Sequence, residues 1–150
     1  MKLDRRKFIK VSVGSAALLG LGSVGSLAAS EPTAADRIKE FTGGAQALDG
    51  KLTLTTPEIA ENGNVVPVQV EVDSAMTDED FVEEIMIVAD GNPNPEVAKF
   101  RFTPMSGEAT AKVRIRLSQT QNVTAIARMN DGSFQMAANQ VKVTIGGCGG

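Results

Sequence analysis

Histidine, tryptophan and tyrosine are absent from this 150-residue chain, and cysteine occurs once. Each gap closes a class of function. Without histidine there is no Ser-His-Asp triad, no Cys-His pair and no histidine metal site. A single cysteine, Cys148, allows no intrachain disulfide. The chain also lacks a GxGxxG turn after a strand, a Walker loop and a CxxC pair, so no resident cofactor is expected. The net charge of −3 offers no concentrated basic face for nucleic acid. Hydrophobic residues make up 42 %, enough for one modest core in a chain of one-domain length.

What charge there is falls unevenly. Residues 1–28 hold Lys2, Arg5, Arg6, Lys7 and Lys10 against a lone Asp4. From Ala29 onward 10 basic residues face 17 acidic ones. A basic start followed by an uncharged run, Val11 to Ser30, is the layout of an export signal. Asp4-Arg5-Arg6-Lys7-Phe8-Ile9-Lys10 is similar to a twin-arginine signal, with Asp4 and Ile9 as departures from the usual pattern. The uncharged run is long enough to span a membrane if helical. It is only weakly apolar, though, and Gly14, Gly20, Gly22 and Gly25 weaken a helix. Ser26-Leu27-Ala28 offers small residues to a signal peptidase, so residues 1–28 are expected to be removed, with cleavage after Ser30 as the other site. Such a signal sends the mature protein to the periplasm.

In the mature chain, residues 33–42 read as a short helix. Thr33 caps it, Asp36 sits in its first turn, Ile38 and Phe41 share a face, and Gly43-Gly44 stops it. Everything after that has period two. Strands are expected at 51–55, 66–72, 84–89, 98–102, 111–117, 123–129, 134–138 and 141–145. Asn92-Pro93-Asn94-Pro95 and Asn130-Asp131-Gly132-Ser133 are turns, the second a hairpin. Strands at this spacing predict an all-β domain, an immunoglobulin-like antiparallel β-sandwich over 29–145 with a short N-terminal helix. A small barrel is the competing fold. Phe100, Phe102, Ile126 and the 65–72 strand are expected to leave apolar surface for a partner.

The chain ends Gly146-Gly147-Cys148-Gly149-Gly150. Glycines make such a tail thin and mobile, and residues 146–150 are expected to form a flexible arm reaching roughly 17 Å. Bulky flanking residues would bar the sulfur from a narrow channel. Nothing nearby activates the thiol: there is no histidine, and the closest basic residue in the sequence is Lys142. Cys148 is thus poorly suited to act alone as a nucleophile and well suited to be loaded and unloaded by other enzymes.

This tail, the stretch 57–68 (Pro-Glu-Ile-Ala-Glu-Asn-Gly-Asn-Val-Val-Pro-Val) and the twin-arginine start resemble the SoxY family of periplasmic thiosulfate oxidation. The resemblance implies a sulfur carrier and not an enzyme. It implies a heterodimer with a SoxZ-like subunit. A cytochrome complex would couple thiosulfate to Cys148 as an S-thiosulfonate, and a hydrolase would release sulfate. Cys148 is then the attachment site and Gly146, Gly147, Gly149 and Gly150 the carrier arm. Thr144-Ile145 departs from the family's lead into the glycines.

Other features read more simply. Asp78-Glu79-Asp80 with Glu83-Glu84 is acidic enough for calcium but lacks the spacing of a calcium loop, so no metal site is expected. Lys112, Arg114 and Arg116 guard a strand edge or meet an acidic partner. Asn62-Gly63-Asn64 is a turn, and the methionines are core filler. The reading that competes with a carrier is a sandwich binding module tethered through Cys148 to a partner chain or cofactor.

Overall fold

A computed structural model describes residues 30–148. Arg5 and Arg6 of the signal segment, and Gly149 and Gly150, lie outside the described residues. The helix forms as α1 (Ala34–Thr42) with the local chemistry its sequence predicts. The Thr33 hydroxyl accepts from Asp36 N, and the Asp36 carboxylate accepts in return from Thr33 N at 2.9 Å. These bonds to Thr33 hold the Asp36 carboxyl below the usual carboxylate range. Gly43 closes the helix at φ 64, a left-handed conformation that costs glycine least.

The strands are β1 (Ala47–Leu48), β2 (Leu52–Thr55), β3 (Ile59–Asn62), β4 (Val66–Val72), β5 (Val82–Ala89), β6 (Glu96–Arg101), β7 (Ala109–Ile115), β8 (Gln121–Met129) and β9 (Phe134–Ile145). They form two sheets. The smaller runs β2-β4-β7 and the larger β1-β9-β8-β5-β6, with β3 also alongside β9. Pairing is antiparallel except where β1 and β3 meet β9 in parallel. The core lies between the sheets. Val66, Val68, Val70 and Val72 of β4 face Ile85, Ile87, Val123, Ala125 and Val141 of the larger sheet, all buried. The sandwich reading holds. Phe100 and Phe102 point inward as expected and pack, half-buried, against this core.

The larger sheet is buried on both faces, and that changes two expectations. Met86, Val88, Ile126 and Phe134 point away from the sandwich and pack beneath Ile38 and Phe41 of α1. Ile126 is therefore fully buried and offers nothing to a partner. Uncovering it would forfeit roughly 2 kcal/mol for each large side chain exposed. The expected break between 138 and 141 does not occur: β9 is one strand of 12 residues. Its apolar residues change parity because Phe134 and Met136 face the helix while Val141 and Val143 face the smaller sheet. Strand β4 shows solvent mainly Pro67, Gln69 and Glu71, so it has no second apolar face. Lys112 and Arg114 are exposed along β7, an edge of the smaller sheet, and Arg116 just past its end, as a guard against edge pairing requires.

The acidic residues at 83 and 84 are strand residues engaged by arginine. Arg128 Nε donates to Glu83 at 3.0 Å, and Arg128 Nη2 donates to Glu84 at 3.0 Å. Its guanidinium also lies 5.5 Å from the centre of the Phe41 ring. Glu84 is buried, and among the described residues only exposed Arg101 is a further cation beside it, at 3.6 Å. Arg128→Ala would leave a buried carboxylate poorly compensated. The expected cost is about 2–3 kcal/mol, reduced from a fully buried pair because Arg101 remains. Urea unfolding of this variant beside Arg128→Lys checks it. Equal stability of wild type and Arg128→Ala would show that the pair contributes nothing.

Candidate functional site

The site is the root of the cysteine tail, and it is built from segments far apart in sequence. Strand β9 ends at Ile145, where its parallel neighbour β3 ends opposite at Asn62. The turn after β3 then reaches across to the tail. Gly63 N donates to Ile145 O at 2.7 Å, and Leu117 N donates to Gly63 O at 2.8 Å. Gly147 N donates to Leu117 O at 2.8 Å, and Cys148 N donates to Asn64 Oδ1 at 3.2 Å. The tail backbone thus stays on the domain as far as Cys148 N.

Glycine is needed here for close approach. A Cβ on Gly147, which is buried, would lie 2.7 Å from Gly63 O and 3.0 Å from Asn64 N. A Cβ on Gly63 would collide with Leu117 O, and one on Gly146 with Ser118 O. Gly63 and Gly147 are therefore a matched pair across the seat.

The other wall of the seat, Leu117 and Ser118, is fixed from behind by a buried amide network. Asn92 Nδ2 donates to Arg116 O at 2.8 Å, and Asn92 Oδ1 accepts from Ser118 N at 3.0 Å and Gln121 Nε2 at 2.9 Å. Ser118 Oγ donates to Gly91 O at 2.8 Å. Asn92 is buried with its polar groups paired, so the 116–121 segment has little freedom to shift.

Among the residues singled out from sequence, Gly146, Gly147 and Cys148 are brought together with a turn that had been read only as a turn. Cys148 is a free, exposed cysteine. The base of the tail differs from the expected arm, because Gly147 N and Cys148 N are bonded to the domain and Gly146 lies close against Ser118 O. Asn64, Asn92 and Ser118 escaped sequence reasoning. Gly63 has no positive φ, so its turn does not itself require glycine; the close approach of Leu117 O and Gly147 N does. Among the described residues no group of three or more acidic, cysteine or histidine side chains could hold a metal ion.

Comparison with solved structures finds the same fold in distant proteins. A superoxide reductase (neelaredoxin) from Ignicoccus hospitalis is 20 % identical with a TM-score of 0.56, over 63 % of this chain and 80 % of that one. A hypothetical protein from Pyrococcus horikoshii is 17 % identical with a TM-score of 0.55, over 69 % of this chain and 98 % of that one. At such identity the likeness is one of fold alone. Comparison with curated proteins gives no match. The family model of the sulfur oxidation protein SoxY, in contrast, matches residues 38–148, from α1 through the seat to the cysteine. With well over half of its length matched, this chain belongs to the SoxY family and has its role in the sulfur oxidation system.

Proposed function

We propose that this protein is the covalent carrier of sulfur intermediates in thiosulfate oxidation, and that Cys148 carries them. The observation that supports this most is an exposed thiol on a residue whose backbone is held by the domain, with no histidine anywhere to activate it. Such a thiol is a handle for other enzymes.

Loading joins Cys148 Sγ to the sulfane sulfur of thiosulfate. The thiolate and thiosulfate together lose two electrons, a disulfide-type S–S bond forms, and the product is a cysteine S-thiosulfonate. A partner cytochrome complex takes the electrons. A hydrolase then adds water to the terminal sulfone. The bond between it and the sulfane sulfur breaks, sulfate and two protons leave, and a persulfide anion remains on Cys148. The protein supplies position and no catalysis, and it needs no cofactor of its own.

In this reading the chain is exported through Arg5 and Arg6 to the periplasm. There it works as a heterodimer with a SoxZ-like subunit.

Mass spectrometry of the Cys148 peptide tests the reading. The mature protein is incubated with thiosulfate and the cytochrome complex. An S-thiosulfonate on Cys148, converted to persulfide when the hydrolase is added, is expected. A permanent disulfide from Cys148 to one partner chain would instead identify a tethered binding module.

A further inference from the structure

A strand at the edge of a sheet presents alternate N–H and C=O groups to any chain that can pair with them, and folds blunt such edges by shortness, bulges, proline or cover. Most edges of this sandwich are blunted. Strand β1 has two residues. Strand β2 has four, and Asn139 Nδ2 donates to its Leu54 carbonyl at 2.8 Å. Strand β6 loses regular register with β5 between Ile87 and Val88. Strand β7 is different. It pairs with β4 at all seven of its positions without a shift and contains no proline. Among the described residues no strand pairs with its other side.

The side chains of β7 add a pattern to the open edge. Ala111 and Val113 point into the core but are only half-buried, whereas Val70 and Val68, opposite them on β4, are buried. The core is incompletely covered along this edge, which a charged guard alone would not require. Lys112 and Arg114 alternate with these residues on the outer face, and neither has an ion pair among the described residues. Glu71, on the same face of β4, stands opposite Thr110 and pairs with neither. There is room on both sides. A groove of about 630 Å³ runs over the outer face beside Pro67, Gln69, Lys112 and Arg114. Another of about 250 Å³ lies between β6 and β7, beside Val97 and Arg114.

We propose that β7 is an acceptor edge for an extended segment of another chain, acidic at the positions beside Lys112 and Arg114 and apolar at those between. Charge selects this occupant. Two uncompensated cations stand out on a chain that, from Ala29 onward, has 10 basic residues to 17 acidic. A second copy is a poor fit. Two β7 strands paired antiparallel about Val113 would set Lys112 against Arg114 twice, and like charges directly opposite are destabilising. An acidic strand turns the same two side chains from a guard into a selector, and its apolar residues cover Ala111 and Val113. The inference does not rest on the sulfur chemistry of Cys148. It adds to the proposed partnership an edge and the chemistry of the strand that fits it.

The test uses two synthetic peptides as long as β7, one alternating valine with glutamate and the other valine with lysine. Each is titrated into isotope-labelled mature protein up to about 1 mM, the range of weak peptide binding. Amide shifts and amide hydrogen exchange are followed by NMR. The glutamate peptide is expected to slow exchange at alternate β7 amides and to bind roughly tenfold more tightly than the lysine peptide. In Lys112→Glu, Arg114→Glu the preference is expected to reverse. Lys112→Gln, Arg114→Gln is expected to show no preference. All four substitutions are at exposed positions and are expected to leave thermal unfolding unchanged.

Equal binding of both peptides to wild type would overturn the proposal, as would unchanged exchange in β7 with either. Protection of β2 or β6 in place of β7 would overturn it by moving the site to another edge. Protection of β7 that needs no peptide and grows with protein concentration would make a second copy the occupant, and the acidic partner would fall. Each of these outcomes leaves the carrier reading standing, because that reading is decided by sulfur on Cys148.

Discussion

Cys148→Ser is expected to abolish sulfur loading completely while leaving the domain intact. Loss is total because the chain has no second thiol to which the chemistry could move. The methionines carry thioethers, which have no S–H to give up. Folding survives because Cys148 is exposed and only its backbone is held, by Asn64. Serine keeps that N–H, and a side chain outside the core contributes little to stability. Labelled thiosulfate with the cytochrome complex gives the readout, and thermal unfolding the control. The expected pattern is no label on the variant and a midpoint within about 1 °C of wild type. Label retained on the serine variant would place the chemistry elsewhere. Loss of both label and fold would mean that the thiol has a packing role the structure does not suggest.

The parts of this molecule that sequence makes legible are those governed by neighbours in the chain. The Thr33–Asp36 capping box, the Asn130–Ser133 hairpin and the alternation of β4 each depend on residues a few positions apart. At the hairpin, Ser133 donates to the Asp131 carboxylate and holds its carboxyl below the usual range. The pattern misleads where burial is two-sided. Ile85-Met86-Ile87-Val88 is an unbroken apolar run because α1 covers one face and the smaller sheet the other. From sequence that run could be seen as a strand, but the face that Ile126 shares with it could not be assigned.

The seat was the least legible feature. Asn64 and Cys148 are 84 residues apart. Gly63 already had a local explanation as a turn residue, which hid the long-range one. Asn92 had the same fate: a turn residue by its prolines, it is also the buried hub behind Leu117 and Ser118. Where a residue's local reading is sufficient, a second role set by tertiary contact leaves no trace in the pattern.

That division predicts that the tail glycines fall into two kinds. Gly147 and Gly146 belong to the seat, and Gly149 follows the sulfur. In Gly147→Val the side chain is driven into Gly63 and Asn64, so the root must leave its seat. A nitroxide on Cys148 is expected to gain mobility, and enzymatic loading to fall because the sulfur is no longer presented at a fixed place. A misplacement of about 1 Å costs roughly 100-fold in a positioned reaction, so a fall of that order in kcat/KM is the expected scale. Gly149→Val adds bulk on the residue after the cysteine. There the nitroxide is expected to stay as in wild type, while loading falls through restricted entry to the enzyme's channel. In both variants the thiol is kept and no charge is added beside it, so reaction with a small maleimide is expected within about twofold of wild type. The comparison separates the two roles. If both variants mobilise the root equally, the glycines are one uniform hinge and the seat has no function. If either slows the small reagent as much as the enzyme, that glycine acts on the sulfur's own reactivity and not on its presentation.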